Sequence, residues 1–270
     1  MELETLKATD NPTLANQLLS EVAETTEPVV EATIIRPADN VVELPGGYLT
    51  FSGEILKTAE VRELNGKDEE ALGKATNVAR MWQTLLTRAV TTIGGERATE
   101  SVLDNMLSGD RDALLLGIYR VTYGNEATLQ SYCDGCREVK EVSIDVTSDI
   151  KTKILVDPVT DRRFIVNGKK NEYVVNLPTG LVSKALGVNP DLTYAETVTL
   201  LLEKTIQLIN DQPVMGKNQI LNINVVDRKK IVEAIADRNI GPQFDDITIT
   251  CPGCEGELVV PISLGALFQF

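Results

Sequence analysis

The chain has 270 residues, 43% of them hydrophobic and 24% charged, a composition able to build one large core or two small ones, and only 4% are aromatic, so packing rests on aliphatic side chains. The net charge of −14 opposes phosphate backbones, because nucleic-acid affinity comes mainly from Lys and Arg displacing counterions. The chain contains no histidine, which removes Ser-His-Asp and Cys-His triads and histidine-ligated metal sites together.

Met1-Glu2-Leu3-Glu4 lacks the basic start and apolar run of a secretory signal, and no stretch approaches the roughly 20 apolar residues that span a bilayer. Synthesis in the cytosol, without a membrane span, is the expectation. Residues 1–40 are rich in Thr, Glu and Ala, carry Pro12, Pro28 and Pro37, and read as a flexible acidic arm in which 11–22 has the makings of a short helix.

After the arm the chain runs through one plan twice, predicting a first repeat over 41–150, a structured connector over 151–173 and a second repeat over 174–270. The openings are Val41-Val42-Glu43-Leu44-Pro45-Gly46 and Val174-Val175-Asn176-Leu177-Pro178-Thr179-Gly180, each a short strand ended by a turn signal. The first copy then carries an insertion over 50–67, whose Ile55, Val61 and Leu64 with Gly53 and Gly66 suggest a hairpin. Amphipathic helices follow. One runs through Leu72, Ala75, Val78, Trp82, Leu85, Ala89 and Ile93 until Gly94-Gly95 stops it. The other opens on a Thr193/Glu196 capping box and runs through Val198, Leu201, Leu202, Thr205, Ile206 and Ile209 up to Pro213.

Each copy next has an Asp-Arg pair at a helix start, Asp110-Arg111 and Asp227-Arg228, where the carboxylate is placed to cap free amides and offset the helix dipole. The helices carry Leu114, Leu115, Ile118 and Val121, or Ile231, Ile235 and Ile240, and close on Gly124 or Gly241. Each copy ends as strand, knuckle, strand: 128–132, Cys133-Asp134-Gly135-Cys136 and 141–146, then 247–250, Cys251-Pro252-Gly253-Cys254 and 258–264. The connector reads as strands and turns around Ile154-Leu155-Val156 and Phe164-Ile165-Val166.

All four cysteines fall in the two Cys-x-x-Cys pairs. In a reducing cytosol such pairs are better read as metal ligands than as disulfides. Four thiolates satisfy tetrahedral zinc and leave no open coordination position, which predicts a structural zinc on Cys133, Cys136, Cys251 and Cys254. One copy supplies only two ligands, so the ion would staple the two halves. A redox pair, and disulfides or zinc shared between chains, are the competing readings. Gly216-Lys217 lacks a phosphate loop, and Asp157, Asp161, Glu172, Asp245 and Asp246 form no recognisable acid/base pair.

The run Leu44-Pro45-Gly46, Leu64-Asn65-Gly66-Lys67-Asp68-Glu69, Gly109-Asp110-Arg111-Asp112, Tyr119-Arg120, Tyr123-Gly124 and the Cys133/Cys136 knuckle, followed by Leu177-Pro178, Cys251-Pro252-Gly253-Cys254 and Phe268-Gln269-Phe270, resembles the T-even-type phage baseplate proteins and related tail-assembly proteins. Asp134 stands where the second knuckle has Pro252. The resemblance covers nearly everything after residue 40. It implies a role in the baseplate, hub or tail tip of a tailed bacteriophage, either retained in the virion or acting during assembly, with other tail or baseplate proteins as partners.

The expected fold is therefore α+β: two related subdomains of helices and short antiparallel strands joined by a zinc-ribbon-like four-cysteine site. The expected role is non-enzymatic scaffolding by protein–protein contacts, with no nucleic-acid partner. A zinc-ribbon regulatory protein that contacts transcription machinery or nucleic acid is the alternative, and a thiol oxidoreductase is a third. Leu264, Leu267, Phe268 and Phe270 form an apolar end that docks on the chain's own core or on a partner.

Overall fold

The computed structural model describes residues 40–189 and 191–269, together with Thr13. The rest of the acidic arm, with the short helix expected over 11–22, lies outside the described residues, as do Pro190 and Phe270.

In chain order the elements are β1 (Val41–Leu49), β2 (Ile55–Val61), α1 (Gly66–Leu72), α2 (Val78–Ala89), β3 (Val90–Ile93), β4 (Glu96–Arg97), α3 (Glu100–Asn105), α4 (Ser108–Tyr123), β5 (Glu126–Cys133), β6 (Glu138–Asp145) and β7 (Thr152–Lys153). There follow β8 (Arg163–Asn167), β9 (Glu172–Asn176), α5 (Gly180–Val188), α6 (Tyr194–Thr205), β10 (Ile206–Ile209), β11 (Gln212–Pro213), α7 (Lys217–Leu221), α8 (Val225–Asp237), β12 (Gly241–Pro242), β13 (Ile247–Thr250), β14 (Glu257–Val260) and α9 (Leu264–Phe268). The chain is thus a mixed helix-and-strand protein.

Two antiparallel sheets have the same connectivity, in the orders β1-β2-β3-β4 and β8-β9-β10-β11. Two helices separate the second and third strands of each sheet, and two more follow its fourth strand. Two hairpins stand apart, β5-β6 and β13-β14, and β7 pairs with β12.

Polar side chains start the helices. Asn65 and Thr193 form capping boxes with Asp68 and Glu196, while Asn77, Thr99 and Asn224 accept from the amide three residues on. Helices α2 and α6 then pass into strands without a loop. The Val90 and Ile206 amides still donate to Leu86 and Leu202, yet both residues have extended backbones. The helical runs expected through Ile93 and Ile209 therefore stop at Ala89 and Thr205. Leu72 belongs to the separate α1. Val90, Thr91, Thr92 and Ile93 are β-branched and favour the pleated chain, although their apolar spacing also fits a helix face. Gly94-Gly95 is the β3–β4 hairpin turn rather than a helix stop; its counterpart is Asn210-Asp211, and all four residues have positive φ, at 59°, 86°, 50° and 62°.

The Leu-Pro-Gly stretch also differs from expectation. It lies inside β1, at a break in register between Glu43 and Tyr48, and does not end the strand. Val174 and Val175 lie in β9, the second strand of its sheet, whereas Val41 and Val42 lie in the first strand of theirs, so the two openings are not in equivalent places. The first strand of the second sheet is β8, which contains Phe164-Ile165-Val166 of the expected connector. Gly124 does close α4, but α8 ends at Asp237 on an Arg238 cap, ahead of Gly241.

The first core gathers Ala59, Val61, Leu85, Leu86, Leu114 and Ile118. Leu258, Val260, Ile262, Leu267 and Phe268 join them, so the chain's carboxy-terminal hairpin and helix pack against its beginning. The apolar end thus docks on the chain's own core. Val175, Leu202, Ile206, Ile220, Ile231 and Ile235 form the second core. Between them Leu107, Leu177 and Ile240 make a small apolar contact. Trp82 is half-buried and meets Phe268 edge-on at 5.5 Å.

Candidate metal centre

The two solitary hairpins position the thiols. Eight consecutive residue pairs run from Glu126/Asp145 to Cys133/Glu138 in the first hairpin, and four run from Ile247/Val260 to Thr250/Glu257 in the second. In β5, Ala127, Leu129, Ser131 and Cys133 all point inward, so strand alternation alone buries Cys133. The Ser131 hydroxyl donates to the Val259 carbonyl and ties β5 to β14.

Both knuckles have one backbone form. The Arg137 amide donates to Cys133 O at 2.7 Å and the Glu255 amide to Cys251 O at 2.9 Å. Arg137 and Glu255 both adopt left-handed backbones, with φ of 60° and 58°. The Asp134 and Pro252 knuckles therefore turn alike. Glycine in the third place permits their approach. A Cβ on Gly135 would stand 2.7 Å from Cys254 Sγ, and one on Gly253 would stand 3.0 Å from Cys136 Sγ. Each hairpin tip needs the space that the other's glycine leaves.

All four Sγ atoms lie within 4.8 Å of one another, with Cys133 to Cys254 at 3.6 Å and Cys136 to Cys251 at 3.7 Å. A disulfide requires about 2.05 Å between sulfurs, so these are four free thiols. A tetrahedral ion with metal–sulfur bonds of about 2.3 Å holds sulfurs about 3.8 Å apart, close to the two short distances here. The donor set is all sulfur, which suits zinc and disfavours magnesium or calcium.

The sulfurs do not share charge evenly. Thiol hydrogen bonding, first with Cys254, and then burial push Cys136 up to about 12. The Gly253 and Cys254 amides favour the Cys251 thiolate and bring it down to about 6. The turn's own amides thus favour one thiolate at the site. Lys140 stands over this charge: held by Glu138 at 2.5 Å and facing Cys136 and Cys251, its ammonium is kept firmly protonated.

The Asp-Arg pairs do something other than cap their helices. Asp110 accepts from the Gly46 amide at 2.6 Å, and α4 has no side-chain cap. Asp227 accepts from Lys169 N at 2.9 Å, Tyr173 Oη at 3.0 Å and Asn224 Nδ2 at 2.7 Å. Both carboxylates therefore reach from a helix to the start of a sheet. The arginines hold the preceding short helices: Arg111 donates to Leu103 O and Gln83 Oε1, each at 2.8 Å, and Arg228 to Ile220 O at 3.2 Å and Thr199 Oγ1 at 2.7 Å.

A part-buried ion cluster had no signal in the sequence beyond its place in the quoted run. Asp68 takes Arg62 in two hydrogen bonds of 2.6 and 2.9 Å and Arg88 at 2.7 Å, and the Arg62 guanidinium foremost holds its carboxyl well below the usual range. Asp157 and Asp161 serve a turn, in which the Asp157 amide donates to Asp161 at 2.9 Å. Gly216 precedes the five-residue α7.

These features define a mixed helix-and-strand protein whose two knuckled hairpins bring four free thiols to one point. Residues 49–269 match the family model described as T4 bacteriophage base plate protein, and the chain belongs to that family. It is accordingly a phage structural baseplate protein, whose family places it in the virion tail among other tail proteins. No curated protein and no solved structure matches it. Among the described residues, no helix is long and apolar enough to cross a membrane.

Proposed function

We propose that the chain is a non-enzymatic scaffold of the phage baseplate or tail hub, working through protein contacts, and that one zinc ion on Cys133, Cys136, Cys251 and Cys254 clamps its two halves together. The observation that carries the clamp is the meeting of four sulfurs from hairpins far apart in sequence. Four thiolates saturate zinc, so the ion would supply rigidity and no reactive position. The halves are copies of one design, the first over 41–150. The shared connectivity of the two sheets supports this reading and favours β8 as the opening of the second copy.

Metal analysis of the purified chain tests the clamp. The expected result is one zinc per chain, with Cys251→Ser losing both the ion and a large part of the thermal stability. A variant that stays fully loaded and equally stable would overturn the clamp. The scaffold role is tested by mass spectrometry of purified particles and tail-assembly intermediates. Absence from both sinks it.

A further inference from the structure

Each half has a groove between the helix that runs into its third strand and the helix that carries its Asp-Arg pair, and only one of the two is filled. Helices α2 and α6 both have twelve residues and end in the same helix-to-strand passage, which pairs Trp82 with Val198 and Val78 with Tyr194. The Asp-Arg pairs fix the other wall, so Leu115 corresponds to Val232, Asp112 to Lys229 and Tyr119 to Ala236. In the first groove Phe268 of α9 lies edge-on to Trp82 at 5.5 Å and to Tyr119 at 5.6 Å. Leu267 and Phe268 are buried there, and Leu115 beneath them is 3% exposed.

The second groove is an open apolar cavity of about 430 Å³ lined by Tyr194, Ala195, Val198, Val225 and Val232. Tyr194 and Val225 are both 80% exposed. Val198 lines it at the place that Trp82 takes on α2, and the smaller side chain leaves room for larger inserted groups. Arg228, Lys229 and Glu233 also line it; Lys229, which stands where α4 has Asp112, pairs with Glu233 at 3.7 Å with both side chains in solvent, so the rim keeps one positive charge in excess.

We infer that this second groove binds a short apolar helix of another protein, one that presents large aliphatic or aromatic side chains at i, i+3 and i+4, as Leu264, Leu267 and Phe268 do, with a carboxylate near Lys229. The first groove shows that this pair of helix faces accepts such a segment, and the cationic rim selects an acidic flank. The inference deepens the scaffold reading and rests on it, because it names the chemistry of a contact that a scaffold makes.

The test uses the full-length chain and a fluorescein-labelled peptide of its own residues 261–270, which carries the Leu and Phe pattern and a free carboxylate. Anisotropy should show saturable binding, weakened at least tenfold by Val225→Asp, weakened by Lys229→Glu and unchanged by Val139→Asp on β6. All three positions are exposed, so the variants keep the fold. Three results would overturn the proposal: no saturation, equal loss with Val139→Asp, or binding indifferent to Val225→Asp with a shift in Trp82 emission, which marks displacement of α9 from the first groove. Self-association abolished by Val225→Asp would assign the groove to a second copy and also overturn it. These outcomes are read on the isolated chain, so they remain separate from failure to find the protein in particles.

Discussion

Asp110 and Asp227 occupy the same third position of a helix, are both buried, and both reach for the backbone at the start of a four-stranded sheet. Their surroundings differ. Three donors surround Asp227, and although burial works against its ionised form, the Lys169 amide, the Asn224 amide and the Tyr173 hydroxyl together bring its pKa below the ordinary value. Asp110 has one amide at hydrogen-bond distance, its Oδ2 has no hydrogen-bond partner, and burial raises its carboxyl to about 6 against the pull of the Gly46 amide, Arg162 and the Gly47 amide. Arg162 itself donates to the Gly46 and Gly47 carbonyls rather than to Asp110. The same helix position thus holds a well hydrogen-bonded anion on α8 and a poorly hydrogen-bonded acid on α4. Position in the fold does not settle what a buried carboxylate does; the count of donors around it does.

The largest effect expected from this comparison is at Asp227. Asp227→Ala leaves the Lys169 amide, the Tyr173 hydroxyl and the Asn224 amide without their acceptor, at a cost of about 3 kcal/mol in urea unfolding. Asp110→Ala frees only the Gly46 amide and should cost less. Equal losses at the two sites would break the comparison. The Asp68 cluster gives an independent scale. Asp68→Asn weakens contacts to two guanidiniums at once, but Arg62 and Arg88 are 27% and 37% exposed and water compensates them, so the cost should be about 1–2 kcal/mol.

The pairing of the cysteines in knuckles was legible in the sequence because Cys-x-x-Cys spacing is local and the turn chemistry is encoded beside it. Cys251-Pro252-Gly253-Cys254 already specifies a knuckle, and Cys133-Asp134-Gly135-Cys136 reaches the same backbone through its glycine. The Asp-Arg pairs were visible as markers but not as contacts, since their partners Gly46 and Lys169 lie more than fifty residues earlier and no local pattern reports such a distance. The boundaries at Ala89 and Thr205 were hidden for another reason. A buried residue at each end of Val90–Ile93 fits both a helix face and a short strand, and tertiary pairing with β2 decides between them. Aligning Leu44-Pro45 with Leu177-Pro178 misled because one dipeptide sits at a strand irregularity and the other follows a strand end, although both read as turn signals.

The smallest effect is the one most specific to the contrast, and it lies in pH. Because Asp110 has a raised pKa, the folded chain keeps a proton there that the unfolded chain releases near pH 4. Stability from this group therefore falls as pH rises from about 4 to about 6 and stays lower above that. Asp110→Asn removes the titration but keeps an oxygen for the Gly46 amide. Between pH 5 and pH 7.5 the variant should gain about 1.4 kcal/mol on the wild type, measured as the change in their stability difference. Asp112, also raised to about 6 by burial, titrates in both proteins and cancels from that difference. Asp227→Asn should show no such trend, since a carboxyl held below its ordinary value is ionised in both states throughout the window. A parallel pH slope in both Asn variants would show that the field of the whole acidic chain, and not the donors at each site, governs these two acids.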